Sequence, residues 1–139
     1  MPDMNNTRFA TAIHILTLLA SEPEQWLSSE YMAGSISINP VMVRKELSVL
    51  TEAGLVITKK GKEGGAKLSK SSKDILISDI YKAVNNGEIL GKKNSNTNIK
   101  CNIGRQINER LSTLFSEIDE KNMQLLKGKT LEDFLKQFE

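Results

Sequence analysis

At 139 residues, 39% hydrophobic and 26% charged, the chain is long enough for one domain with a real core and small for most enzymes. A single cysteine, Cys101, excludes an intrachain disulfide; no apolar run approaches a membrane span; the start MPDMNNTRFA lacks the basic-then-apolar order of a secretory signal. Together these features point to a cytoplasmic protein. The net charge is only +2, yet between Arg44 and Lys73 eight basic residues (Arg44, Lys45, Lys59, Lys60, Lys62, Lys67, Lys70, Lys73) face three acidic ones (Glu46, Glu52, Glu63). That excess fits either a patch for phosphates or a solvated lysine-rich face.

Phe9, Ala12, Ile13, Leu16, Leu19 and Ala20 recur at helical spacing and predict an amphipathic helix from about Thr7 to Ser21, stopped by Pro23. Ser28 or Ser29 caps a second helix running to about Gly34. After the short turn Ser35–Ile38, Asn39-Pro40 starts a third helix with a capping side chain and a proline at the first position, where no N–H is needed. Val43, Leu47 and Leu50 form its buried stripe, and Gly54 ends it. Two helices joined by a few residues make a helix-turn-helix. Leu55 to Thr58 then reads as a strand, Lys59 to Gly65 as a basic, glycine-rich hairpin tip, and Ala66 to Leu68 as the return strand. A hairpin in that place is a wing.

Ile75 to Val84 is predicted to be a helix with Ile77, Ile80, Tyr81 and Val84 inward, and the polar stretch 85–100 a mobile loop. Beyond it Ile103, Ile107, Leu111, Leu114, Ile118 and Leu125 step by four, four, three, four and seven, a heptad-like seam on one helix of about twenty-five residues. So long a helix in so small a domain needs a partner along its length: a two-fold copy, or its own chain. Thr130-Leu-Glu-Asp caps a last short helix carrying Leu131, Phe134 and Leu135.

The expected fold is therefore mainly α (α+β), a winged helix-turn-helix over residues 1–84, a flexible loop over 85–100, and a dimerisation helix with a C-terminal helix over 101–139. In such a fold the start of the second helix of the pair enters the major groove of double-stranded DNA. The candidate contacts are Ser28, Ser37, Asn39, Pro40, Val41, Arg44 and Lys45, with Met42 beside them, and Arg8 at the start of the first helix. Arg44 suits a bidentate contact to guanine or a phosphate, and Val41 a thymine methyl or the core. Lys59, Lys60, Lys62 and Lys67 of the wing would meet phosphate or the minor groove, adding affinity with little specificity. A homodimer would let two such units read an inverted repeat.

The strings RFATAIHILTLLA (8–20), SSEYMAGSISINPVMVRKELSVLTEAGLV (28–56), KGKEGGAKL (60–68), ILISDIYKAV (75–84) and CNIGRQI (101–107) resemble the Rrf2 family of bacterial winged-helix regulators, within it the YwnA-like branch. The resemblance spans nearly the whole chain. It implies DNA-binding homodimers joined through the long helix, usually repressors, often sensing iron–sulfur status, nitric oxide, oxidants or a metabolite. Cluster-binding members carry three cysteines before that helix, whereas here only Cys101 matches, the last of them. One thiolate cannot hold a cluster that takes four ligands, so no cofactor or metal is expected. His14, the lone histidine, reads as a structural residue of the first helix.

Cys101 remains as a candidate redox sensor or an inert remnant; at a helix start near Lys100 and Arg105 its thiolate would be favoured. The effector could equally be a small molecule bordered by the 85–100 segment and the long helix. Catalysis is not expected, since no base lies near Cys101 and no phosphate loop or paired carboxylates occur. The alternative from another class is a winged helix used for protein–protein contact without specific DNA binding.

Overall fold

The computed structural model describes residues 7–85, 90 and 92–138. Among the described residues six helices and one hairpin form a winged helix-turn-helix from which one of them, a long helix, extends. The first helix, α1 (Arg8–Ser21), buries Ala12, Ile15, Leu16, Leu19 and Ala20, with Phe9 and Ile13 packed at the edge of the core. Ile15, absent from the expected stripe, is fully buried, so the inward face is wider than the spacing suggested. His14 bonds its Nε2 to Ser35 Oγ at 2.9 Å, consistent with a structural place on α1.

The second helix, α2 (Ser29–Ile36), is capped by Ser28, whose Oγ accepts from the Tyr31 N–H at 3.0 Å. Its chain exits through Ser37 in the left-handed region at φ 65°. The third, α3 (Pro40–Glu52), begins at Asn39, whose Oδ1 accepts from the Val41 N–H at 2.8 Å, with Pro40 at the first position. At its end Leu55 N–H donates to Leu50 O and Gly54 N–H to Thr51 O, both at 3.0 Å, a Schellman closure sealed by two buried leucines.

The wing follows: β1 (Val56–Lys59) pairs antiparallel with β2 (Gly65–Leu68), Val56 opposite Leu68 and Lys59 opposite Gly65. A further bridge joins Leu27 to Ala66 on the other edge of β2. This approach is why position 65 is glycine: at φ 150° a Cβ there would lie 2.3 Å from the Leu27 carbonyl oxygen.

A 3-10 turn at Ser72–Asp74 leads to α4 (Ile77–Val84), which buries Ile77, Ile80, Tyr81 and Val84 as expected. Residues 86–89 and 91, part of the stretch expected to be a mobile loop, lie outside the described residues. From 92 to 100 the chain is irregular and runs beside the long helix α5 (Asn102–Leu126). There Asn108 Nδ2 donates to Asn94 O at 2.7 Å, Thr97 Oγ1 to Gly104 O at 2.6 Å, and Lys93 to Ser112. The long helix has 25 residues, about 37 Å at the usual rise, and none of them is buried. Ile103 and Leu125 of its apolar seam are each 70% exposed, and Leu114 is 48%.

After α5 the chain returns to the body. Ile77 N–H donates to Lys129 O and Leu131 N–H to Ile75 O, bridging Leu76 to Thr130. The short helix α6 (Leu131–Leu135) then opens with a full capping box between Thr130 and Asp133, and Leu131 enters the core.

Candidate nucleic-acid interface

The caps of α3 determine which side chains it presents. Asn39 and Pro40 fix the first turn, and Val43, Glu46, Leu47 and Leu50 turn inward. The opposite face, at steps of three, four and seven, carries Val41, Arg44, Lys45 and Ser48, all exposed. Val41 is 59% exposed and lies outside the core, so the placement that a valine near a helix start usually takes does not apply here. Ser37 and Asn39 are exposed at the entry to this face, while Met42 is half-buried beside it.

Two acidic residues modify the charge of the surface. Glu46, 5% exposed, faces inward and meets Arg8 Nε at 3.3 Å. It subtracts nothing from the outer face, and the pair bolts α1 to α3. Arg8, expected to hold the DNA backbone, thus has its ε nitrogen engaged within the protein. Glu30, by contrast, is exposed and pairs with Arg44 Nη1 at 3.3 Å. With side-chain exposures of 52% and 72%, this pair stabilises little, about 0–1 kcal/mol, and Arg44 can exchange it for another anion or a base edge.

Beside α3 lies the wing. Between them runs an open groove of about 750 Å³, lined from one side by Glu30, Arg44, Ser48 and Thr51 and from the other by Thr58, Lys59, Lys60 and Lys62. Ser28, whose hydroxyl caps α2, lines its floor. Lys60 and Lys62 sit at the exposed tip, where Gly64 N–H closes the turn on Gly61 O at 3.0 Å. Lys67 is half-buried on β2 and points, with Lys59, at the ring of Trp26: their ammonium nitrogens lie 4.9 and 5.7 Å from its centroid.

The structure thus brings Arg44, Lys45, Lys59, Lys60 and Lys62 to one side of the molecule, with Ser28, Ser37, Asn39 and Val41 between or beside them. Cys101 and the seam of α5 belong to a different element. Cys101 is exposed at the N-cap of α5, where its Sγ accepts from the Gly104 N–H at 3.5 Å. Sequence reasoning passed over Trp26, Glu30 and Ser48. The last two follow from helical spacing once α2 and α3 are placed. Trp26 gives a signal only through its neighbour Leu27, whose pairing with β2 no local pattern announces.

Residues 5–137 match the Rrf2 family, described as iron-dependent transcriptional regulators. YwnA of Bacillus subtilis (strain 168), assigned by name to the HTH-type transcriptional regulators, is 36% identical over 132 residues, 95% of this chain and 97% of that protein. NsrR of Oceanobacillus iheyensis, named an HTH-type transcriptional regulator, is 29% identical over 94% of this chain and 86% of its own. A crystal structure of a Lactobacillus plantarum protein, assigned as a transcriptional regulator, superposes with a TM-score of 0.77 at 26% identity, covering 96% of this chain and 90% of that one.

Among the described residues the iron of the family description meets no matching donor set. The chain has one cysteine, and among the described residues no group of three or more His, Cys, Asp or Glu is placed to hold a metal. With its winged helix-turn-helix, long C-terminal helix and match over nearly its full length, the chain belongs to the Rrf2 family of transcriptional regulators.

Proposed function

We propose that the protein is a cytoplasmic repressor that binds an inverted repeat in double-stranded DNA as a homodimer and acts by binding, without catalysis. The carrying observation is the shared groove: an exposed face of Val41, Arg44, Lys45 and Ser48 on a capped helix, flanked by wing lysines. Such a face meets base edges in the major groove while the wing and helix caps hold phosphate. Residues 1–84 would contact DNA and 101–139 would pair the two copies. In support of the second part, α5 leaves Ile103, Ile107, Leu111, Leu114, Ile118 and Leu125 without deep cover in one chain.

The regulating input in this reading is an oxidant acting on Cys101, which is exposed and is the chain's sole thiol. A small-molecule effector is the competing input.

Fluorescence anisotropy on the DNA upstream of its own gene, against a scrambled duplex and across a salt series, tests the reading. Selective binding with a steep loss of affinity as salt rises is expected, because each phosphate contact releases counterions. Equal, salt-indifferent binding to both duplexes would instead make the winged helix a protein-contact module.

A further inference from the structure

The hairpin alternates its side chains between two faces. Val56, Ala66 and Leu27 turn inward, and all three are buried. Residues an odd number of steps away therefore share the outer face: Lys59, three along β1 from Val56, Lys67 next to Ala66 on β2, and Trp26 beside Leu27. The chain's only tryptophan is half-buried there, with Lys67 Nζ 4.9 Å and Lys59 Nζ 5.7 Å from its ring centroid. Two like charges on opposite strands would separate in water and sample many rotamers. An electron-rich ring face offsets their repulsion and restricts both stems.

We propose that Trp26 is a positioning residue for DNA binding: it holds Lys59 and Lys67 together as one phosphate-binding pair on the strands of the wing, distinct from Lys60 and Lys62 of the tip. The proposal rests on the DNA-binding reading above. Its physical content is preorganisation, since lysines fixed before contact lose less side-chain freedom on meeting phosphate. The ring acts through the lysines and need not touch the nucleic acid. For that reason Trp26→Leu, which keeps every charge, should still weaken binding by about three- to tenfold, the size of one or two cation–π contacts. Trp26→Phe retains an aromatic face and should restore much of the loss.

The test is a double-mutant cycle on the full-length protein, read as the affinity for its upstream duplex. Trp26→Leu is combined in turn with Lys67→Met and with Lys60→Met, a tip lysine for which no contact with the ring is seen. Losses that are less than additive with Lys67→Met, additive with Lys60→Met and relieved in Trp26→Phe establish the positioning role. Full additivity with Lys67→Met overturns it, as does sub-additivity with both lysines, which would mean that the wing as a whole had collapsed. If the wild-type protein binds duplex DNA with the expected salt dependence and Trp26→Leu is indistinguishable from it, the positioning role alone falls. If the wild type binds no duplex, both readings fall together.

Discussion

The hydroxyl of Tyr81 donates to Asp119 Oδ1 at 3.1 Å and accepts from Asn122 Nδ2 at 3.2 Å, a polar clasp between α4 and the long helix. The ring itself is buried and meets Phe9 of α1 edge-on, with centroids 5.7 Å apart. Three elements therefore share one side chain. Tyr81→Phe keeps the packing and removes the clasp, and should cost about 1 kcal/mol, or a melting temperature lower by about 3 °C in calorimetry.

The same residue gives the fold an alkaline limit. Burial, the largest influence, raises the phenol above its ordinary value of 10.0; Asp119 raises it further, while the Asn122 hydrogen bond lowers it. The folded state thus keeps its proton where the unfolded chain has lost it. This contribution is complete below about pH 10 and declines as pH rises through the raised value. Urea midpoints measured from pH 9 upward should fall, and the fall should be shallower in Tyr81→Phe.

Arg8→Ala leaves the Glu46 carboxylate of α3 buried with its ion-pair partner gone. Urea denaturation should record a loss of about 1–3 kcal/mol. Replacing both residues by Met removes the stranded charge, and stability should recover a large part of that loss. A double variant no better than Arg8→Ala would show that the pair is not what Arg8 contributes.

Glu30 lines the groove and pairs with Arg44, so in the proposed reading it would compete with DNA for that guanidinium. Glu30→Gln should tighten binding to the native site several-fold and steepen its loss with salt, because one more unpaired cation meets phosphate, as read by anisotropy. Arg44→Ala should instead erode the preference for the native site, by about 1–3 kcal/mol at a single base pair, and leave binding to unrelated DNA less affected.

Leu114 stands in the middle of the exposed seam. Leu114→Arg should shift the protein from dimer to monomer in sedimentation velocity and weaken operator binding, while its thermal stability as a monomer changes little because the residue is not buried. A variant that remains dimeric would move the interface off this seam.

Mild thiol oxidation should alter DNA affinity in the wild type, and Cys101→Ser should abolish that response while leaving the reduced affinity intact. Paired anisotropy titrations, with and without oxidant, check both statements.

Much of the helix-turn-helix and wing was legible because it depends on local chemistry. Asn39-Pro40, Ser28 and Gly54 act on backbone groups within a few residues, so helix starts, the helix end and the hairpin could be placed from spacing alone. What could not be read depends on contacts between distant segments. Leu27 is a strand of one residue, visible only once β2 lies beside it, and Trp26 takes its role from that pairing. Glu46 looks like any surface glutamate until Arg8, thirty-eight positions earlier, comes within reach. Periodicity found the α5 seam, but its exposure followed only from how few residues of the body reach that helix.

The bridge between Leu76 and Thr130 makes everything from α4 through α5 a closed excursion whose two ends meet on the body. A rod with one free end could swing without disturbing what it hangs from. This excursion is held where it leaves and where it returns, since Ile75 and Leu131 next to the bridge are each fully buried. A tilt of α5 would therefore be resisted at core residues in the same cluster as those of α1 and α3. The helix-turn-helix and the rod share a foundation.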